Sequence, residues 1–184
     1  MESNGKEQWF AIRVTYCREM KVKAELDELG VNCFVPMRVV KRMVGERLVK
    51  REVPSVHNLV FVRCTRAWLT EYKQHTELPV RYVMDRERHA PLVIPDDQMA
   101  SFIAVAGSGS EDVVYLQPNE QALQRGDRVR IVAGLFAGAE GVLLRVKGDR
   151  RVVVSIAGLV TVATAFVHPS LLEKLPSPSP NGKS

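Results

Sequence analysis

The sequence predicts an α+β protein of two domains, in which an antiparallel sheet with flanking helices is followed by a small β-barrel. Three observations predict it. Residues 1–105 alternate between short apolar runs and stretches with helical spacing. A Gly- and Ser-rich stretch, GSGS at 107–110, then breaks the pattern. After residue 120 the apolar segments are short and rich in Val and Ile, which is typical of strands.

The elements of the first domain follow from apolar spacing and from residues that favour helix ends. Gly30 suits the position after a helix, where positive φ is tolerated. Thr65 suits an N-cap, and Asp96 and Asp97 suit the first turn of a helix that Pro95 begins. These signals predict strands at residues 9–14, 32–35, 57–64 and 81–84, and helices at 18–29, 65–74 and 95–105.

Residues 37–53 are expected to form a long β-hairpin that turns at Gly45 and Glu46. Apolar and basic residues alternate there roughly by twos, so we expect one apolar face and one basic face. Residues 38–51 contain six basic residues and one acid. Such a face is either a solvated surface or a contact for nucleic acid, and the sequence leaves both interpretations open.

The second domain is expected at residues 121–175, after a flexible linker at 106–120 and before a disordered tail at 176–184. Short Val- and Ile-rich segments predict its strands. They lie at residues 128–132, 141–146, 151–156 and 161–167, with Gly-containing turns between the first three. Four or five such strands in so short a segment are typical of a small barrel.

Composition and cysteine usage narrow the class of protein. Lys and Arg number 26 and Asp and Glu 21, and this net charge of +5 suits a partner rich in phosphate or carboxylate without proving one. The three cysteines, Cys17, Cys33 and Cys64, form no CxxC pair, and their odd number argues against a disulfide framework. With no signal peptide at residues 1–8 and no long apolar run, a cytoplasmic protein is expected.

No catalytic, cofactor or metal site is expected. The four histidines are scattered, and none lies at a metal-ligand spacing from a cysteine. Neither a phosphate-binding loop with its Lys nor a nucleophile elbow occurs. Carboxylate pairs such as Asp96–Asp97 are explained by a helix start, so the sequence predicts a protein that is not an enzyme.

The second domain resembles the KOW motif, which implies an SH3-like barrel. The resemblance is carried by GDRVRI at residues 126–131 and GLFAGAEGV at 134–142. Phe136 is expected to bury its ring, and Gly138 and Gly141 to serve turn geometry or close backbone approach.

The first domain resembles the N-terminal (NGN) domain of the NusG family. WFAIR at 9–13, VNCFVPM at 31–37, NLVFV at 58–62 and LVIP at 92–95 carry this resemblance, and both halves match in the family's order over residues 9–175. The basic hairpin is most similar to operon-specific NusG paralogues that act as antiterminators of capsular and surface polysaccharide operons. Two positions depart from the family pattern: His57 replaces a usual Pro, and Leu59 a usual Tyr.

The resemblance implies a transcription elongation and antitermination factor that binds the clamp helices of RNA polymerase and suppresses pausing and termination. It implies a monomer that competes with housekeeping NusG for one clamp site. Candidate polymerase contacts are Phe10, Ile12, Met37, Val56, Leu59 and Phe61, of which about half should face inward because strand residues alternate. Candidate contacts to non-template DNA, upstream duplex or nascent RNA are Arg38, Lys41, Arg42, Arg47, Lys50 and Arg51.

In this family the KOW domain commonly contacts a ribosomal protein or a termination factor. Leu135, Phe136, Ile156 and Leu159 are the candidate contacts here. The β-branched run at residues 152–154 argues for a stable barrel rather than a fold switch. Two other functions stay open at this point: a ribosome-associated or RNA-binding KOW protein, and an adaptor that joins transcription to translation through the KOW domain alone.

Overall fold

The chain divides into two units, Met1–Met99 and Ala100–Ser184. The computed structural model describes residues 5–116, 126–156 and 159–176. The predicted tail, apart from Pro176, and the second part of the predicted linker lie outside these described residues.

The first unit contains the elements of a sheet with two flanking helices. In chain order they are β1 (Gln8–Val14), α1 (Glu19–Glu28), β2 (Cys33–Phe34), β3 (Met37–Val44), β4 (Arg47–Pro54), β5 (Leu59–Cys64), α2 (Arg66–His75), β6 (Val80–Tyr82), β7 (Met84–Asp85), β8 (Ala90–Pro91) and β9 (Val93–Ile94). Helix α3 (Asp96–Ala106) spans the boundary between the units. Among the described residues, no helix is long and apolar enough to cross a membrane.

Strand β1 lies at the centre of the main sheet. The strand order is β2-β5-β1-β6, and β9 also pairs with β1. All of these pairings are antiparallel. On one edge, β1 pairs with β5 from Gln8↔Cys64 to Arg13↔Leu59. On its other edge β1 pairs with β6 near its end and with β9 near its start.

One face of this sheet packs under the helices. Because strand side chains alternate between faces, Phe10, Ile12 and Val14 of β1 share a face with Val60 and Val62 of β5. All five belong to a buried cluster that also contains Val22 and Leu26 of α1 and Leu69 and Tyr72 of α2. Val22 and Leu26 are four residues apart, as the predicted helical spacing requires, so α1 presents one apolar stripe to the sheet.

The helix ends confirm the signals read from the sequence. Thr65 Oγ1 accepts a hydrogen bond from the Trp68 amide at 3.2 Å, which satisfies one of the free N–H groups of α2. Gly30 follows α1 with φ +68°, and Asp96 and Asp97 lie in the first turn of α3. The predicted starts and stops therefore lie within a residue or two of the observed ones.

The second unit is a six-stranded antiparallel sheet, and the predicted fold class is confirmed. Its elements are β10 (Val114–Leu116), β11 (Arg128–Ile131), β12 (Glu140–Val146), β13 (Asp149–Ile156), β14 (Val160–Ala163), a 3-10 helix (Pro169–Leu171) and β15 (Leu172–Lys174). The strand order is β10-β14-β13-β12-β11-β15. Val152, Val153 and Val154 are consecutive in β13 and all buried, so both faces of this strand are covered.

Part of the predicted linker is structured. Strand β10 pairs with β14 from Val114↔Ala163 to Leu116↔Thr161. Just before it, Arg151 Nη1 donates hydrogen bonds to the carbonyl oxygens of Asp112 at 2.8 Å and of Thr164 at 3.0 Å. A strand of three residues has too little periodicity to be detected in a sequence, whereas the neighbouring Gly and Ser residues are conspicuous.

Gly141 shows why the KOW-like stretch needs a residue without a side chain. A Cβ built there would overlap the carbonyl oxygen of Val153 on the paired strand β13. Gly138, by contrast, has φ +86° and open space around it, so it serves the turn. Phe136, which lies between β11 and β12 in the chain, is only 6 % exposed, and this confirms that its ring is buried.

Gly141→Ala is expected to destabilise the second unit by about 1–3 kcal/mol, the usual cost of overpacking a tightly packed site. Urea unfolding followed by the near-ultraviolet signal and by hydrogen exchange in β12 and β13 would measure it. Gly148→Asn is the matched control, since its surroundings are open at φ +91° and Asn tolerates this region at a cost of about 1 kcal/mol or less. Equal unfolding midpoints for the two variants would contradict the steric explanation.

Candidate functional site

The β3–β4 hairpin is a separate two-stranded ribbon in the first unit. Its strands pair from Met37↔Pro54 to Val44↔Arg47, so Gly45 and Glu46 form a two-residue loop. Gly45 has φ +61°, as the first position of a type II′ hairpin turn requires. The predicted hairpin and its turn are therefore confirmed.

The prediction of one apolar face and one basic face is wrong. Residues that pair directly across an antiparallel ribbon lie on the same face. The four cross-strand pairs of one face each join an arginine to a valine: Arg38↔Val53, Val40↔Arg51, Arg42↔Val49 and Val44↔Arg47. Each strand therefore carries basic and apolar residues on both of its faces. On the face just described, the register set by the turn places the arginines of one strand opposite the valines of the other. We call this surface the arginine face.

The arginines of this face form a zigzag row along the ribbon. Counted along the ribbon axis, Arg38, Arg51, Arg42 and Arg47 follow one another at intervals of two residues. With a rise of about 3.3 Å per residue, the row places an arginine about every 6.6 Å along the axis over about 20 Å. All four side chains are exposed. No ion pair involving them occurs among the residues that the structure describes.

The opposite face carries the two lysines of the predicted set. Lys41 and Lys50 are direct cross-strand partners there, and Met43 pairs with Leu48 next to the turn. Near the turn both faces expose apolar side chains: Met43 is 57 %, Val44 61 % and Leu48 59 % exposed. Exposed apolar groups on a projecting ribbon are typical of an interaction site. We call the surface with Lys41 and Lys50 the lysine face.

Four of the six predicted polymerase contacts are buried in this structure, and their assignment to an exposed surface is wrong. Phe10 and Ile12 are 1 % exposed and belong to the helix-covered core. Leu59 and Phe61 lie on the other face of the sheet and are 0 % exposed. Both alternating sets of side chains on β1 and β5 are buried, so both faces of the sheet are covered at these strands.

The remaining two predicted contacts, Met37 and Val56, are partly exposed. They lie where the hairpin joins the sheet, since Met37 begins β3 and Val56 follows the end of β4. Tyr16 lies beside this junction and is 81 % exposed. Its loop is attached there because the Cys17 amide donates to Asn58 Oδ1 at 3.1 Å. We call Tyr16, Met37 and Val56 the root patch.

The same junction brings together three side chains that the sequence analysis did not connect. Cys17, Glu19 and His57 place one potential ligand atom each within 4.8 Å of one another. Cys17 Sγ lies 4.0 Å from His57 Nδ1. Forty residues separate Cys17 from His57 in the chain, so spacing could not reveal the pair. The proximity of Cys17 and His57 follows from the pairing of β1 with β5, which places the loop after β1 beside the loop before β5.

The four predicted partner contacts of the second unit differ in how exposed their side chains are. Leu135 is 65 % exposed and Leu159 is partly exposed. Phe136 and Ile156 are 6 % and 1 % exposed, so their assignment to an exposed contact surface is wrong. Val132, which the sequence analysis did not select, is 52 % exposed and lies near Leu135 in the loop before β12.

The three thiols differ in surroundings. Burial raises the pKa of Cys64 to about 12. Burial also raises the pKa of Cys33 to about 11, while nearby Lys23 opposes the shift. Cys17 is exposed. The thiols of Cys33 and Cys64 are therefore almost fully protonated near neutral pH, and a protonated thiol is a poor nucleophile.

Comparison with known proteins identifies both units. The family described as NusG, transcription termination factor, matches residues 7–103, and the KOW motif matches residues 125–155. Among solved structures, the chain is similar to one titled "Domain interaction in Thermotoga maritima NusG", with 20 % identity, 93 % of this chain and 98 % of that chain covered, and a TM-score of 0.47. A comparison with curated proteins gave no significant match.

A sheet-and-helix domain of the NusG type followed by a KOW motif defines a class of non-catalytic transcription elongation and antitermination factors. The NusG match alone covers more than half of the chain. This protein belongs to the NusG family. Family membership supports RNA polymerase as its partner. The alternative of a ribosomal KOW protein is disfavoured, because such a protein would lack the first domain.

Exposure predicts that one thiol per chain, Cys17, reacts rapidly with a small alkylating reagent at pH 8. Cys33 and Cys64 should react slowly, because they are less accessible and burial raises the pKa of both thiols. Mass spectrometry of the native protein during labelling would measure the three rates. Cys17→Ser should remove the fast reaction and Cys33→Ser should keep it; two thiols reacting equally fast would contradict the assignment.

Proposed function

We propose that the first unit binds the clamp helices of RNA polymerase through the root patch, while the hairpin extends over the nucleic-acid channel. Three features support this: Tyr16 is exposed and Met37 and Val56 are partly exposed, Met37 and Val56 lie where the ribbon joins the sheet, and the ribbon carries a row of cations. A ribbon of two eight-residue strands is about 26 Å long, which is sufficient to reach well beyond the sheet that holds it.

Binding of this kind would suppress pausing and termination by shifting a conformational equilibrium. A factor that contacts both sides of the channel binds the closed clamp better than the open, paused state. It therefore raises the population of the closed state by its difference in affinity for the two. A difference of about 1.4 kcal/mol changes the ratio about tenfold, so a few exposed contacts are sufficient.

The arginine face carries the proposal for nucleic acid. Four arginines follow one another in a zigzag row at intervals of about 6.6 Å along the ribbon axis, a spacing comparable to that of successive phosphates in an extended single strand. The valines between them leave apolar surface over which a base or a sugar can lie. We propose the non-template DNA strand as the ligand. Phosphate contacts of this kind position the strand without reading its sequence.

The finer features of the family resemblance extend this proposal. We propose that the factor is operon-specific, acting on loci such as those for surface polysaccharides, as a monomer in the cytoplasm that competes with housekeeping NusG. His57 and Leu59 at departing family positions and the strongly basic hairpin support a specialised role. Val132 and Leu135 are the proposed contact for a ribosomal protein or termination factor, because they are exposed apolar groups three residues apart in the segment between β11 and β12.

Removing two arginines, as Arg42→Gln/Arg47→Gln, is expected to weaken binding to an elongation complex with an exposed non-template strand by about tenfold, since each exposed charge contact contributes up to about 1 kcal/mol. The dependence of log K on log salt should become less steep by about 1.4, because each phosphate contact to a single strand contributes about 0.7. Fluorescence anisotropy between low and moderate salt would measure both.

Lys41→Gln/Lys50→Gln is the matched control for the arginine variant. It removes the same number of charges at neighbouring positions of the same ribbon, but from the lysine face. This variant should keep most of the affinity. Equal losses in the two variants would show a general charge effect and reject the arginine face as a specific contact. If the arginine variant lost binding to free RNA but kept its binding to the elongation complex, an RNA-binding function would be favoured instead.

Tyr16→Ser/Val56→Ser is expected to abolish competition of the full-length protein with housekeeping NusG for the elongation complex, because it removes apolar contact area from the root patch. Leu29→Ser is the control, since Leu29 is also apolar and 56 % exposed but lies at the end of α1. Native gel or anisotropy competition would report binding, and urea unfolding would confirm that both variants are folded. Undiminished competition by the folded double variant would exclude the root patch as the clamp contact.

A further inference from the structure

The Cys17–Glu19–His57 cluster joins two loops at the base of the hairpin. Cys17 lies in the loop between β1 and α1, Glu19 is the first residue of α1, and His57 lies between β4 and β5. The three potential ligand atoms lie within 4.8 Å of one another. Cys17 and His57 are exposed, so an ion has access to the cluster from solvent, whereas Glu19 is 1 % exposed and lies beneath them.

The backbone holds these side chains in place. The Asn58 amide donates to a carboxylate oxygen of Glu19, the Cys17 amide donates to Asn58 Oδ1, and the Val14 amide donates to the Asn58 carbonyl at 3.2 Å. Tyr16, Cys17 and Asn58 all have φ between +52° and +62°. Non-glycine residues keep such conformations only where their surroundings impose them. The ligand groups are therefore ordered by contacts that do not depend on a bound ion.

Glu19 supplies a buried carboxylate to the cluster. It accepts a hydrogen bond from the Asn58 amide and lies in the first turn of α1, where the helix N-terminus favours a negative charge. Arg13 Nη1 also donates to the His57 carbonyl oxygen at 3.4 Å. A divalent ion would add a further favourable charge beside this carboxylate, where a thiol and an imidazole can also reach it.

We propose that Cys17, Glu19 and His57 form a binding site for a divalent transition-metal ion of the zinc class, with a fourth position open to water. Thiolate and imidazole ligands favour Zn²⁺ or Co²⁺ over Mg²⁺ and Ca²⁺, which prefer oxygen. On binding, the Cys17 thiol releases its proton to solvent and the sulfur coordinates as thiolate.

The three ligand atoms, which lie within 4.8 Å of one another, must move closer by up to about an ångström and a half for this role. Zinc bonds of about 2.3 Å to sulfur and about 2.0 Å to nitrogen or oxygen, at tetrahedral angles, place the ligand atoms about 3.3–3.5 Å apart. The separation of 4.0 Å between Cys17 Sγ and His57 Nδ1 exceeds this by about half an ångström, which is within reach of side-chain rotation. The site is formed by the positions of these three residues in the first unit, so it does not depend on the proposed function.

The test uses the full-length protein, freed of metal with a chelator and titrated with Co²⁺ and then with Zn²⁺. One Co²⁺ per chain should bind and give the near-ultraviolet charge-transfer absorption of a thiolate–cobalt bond, and Zn²⁺ should displace it. Cys17→Ser should abolish the absorption, and His57→Gln should weaken binding at least about tenfold. Cys33→Ser is the control and should bind like the wild type, because Cys33 lies on β2 away from the cluster.

A second measurement keeps the proposal falsifiable if a variant is unstable. Zn²⁺ should slow alkylation of Cys17 at least about tenfold in the wild type and should have no such effect in His57→Gln. It should also slow amide exchange at residues 55–58. The proposal is overturned if Co²⁺ gives no thiolate absorption, if Cys17→Ser binds as tightly as the wild type, or if Zn²⁺ leaves the alkylation rate of Cys17 unchanged.

Discussion

The pairing of β1 with β5 is the constraint on which the first unit depends. The register from Gln8↔Cys64 to Arg13↔Leu59 aligns Phe10 and Ile12 with Val60 and Val62, so that α1 and α2 cover one continuous apolar face. The same register determines where the strands end. The Val14 amide meets the carbonyl of Asn58, and the loops that follow β1 and precede β5 must therefore lie side by side. The cluster of Cys17, Glu19 and His57 is a direct consequence of this strand pairing.

The hairpin has a different constraint, which is its two-residue turn. Because side chains alternate along a strand, a slip of one residue on β4 would move each of its side chains to the other face. Val44↔Arg47 sets the register, and every pair of the arginine face follows from it. An isolated ribbon of two strands is only marginally stable by itself. The turn and the attachment at the root, where the Ser55 amide donates to the Pro36 carbonyl at 2.8 Å, therefore contribute strongly to its geometry.

Much of this fold was predictable from the sequence. Helices with apolar residues at i and i+4, caps such as Thr65, and the hairpin turn at Gly45 depend on local interactions, which a sequence displays directly. The short strands β2 and β6 were predicted from their apolar residues, whereas β8, β9 and β10, also of two or three residues, were missed because so few residues show no clear periodicity. The site was less predictable, because its residues meet through strand pairing. The hairpin illustrates the difference. Its existence was clear from the sequence, whereas the residues that share each face depend on the strand register, which alternation by twos did not reveal.

The buried contacts explain why family resemblance alone misplaced the binding surface. A motif such as NLVFV is recognisable mainly because it is apolar, and apolar strand residues at the centre of a sheet are first of all core. Leu59 and Phe61 therefore identify the fold better than they identify a contact. The groups that remain accessible lie where the sheet ends, on the loops of the root patch and on the ribbon. Loops and a projecting hairpin on a rigid sheet can change their partner chemistry without loss of the core. His57 lies on such a loop, and its exposed imidazole comes within 4.0 Å of the Cys17 thiol only because the strands on either side are paired.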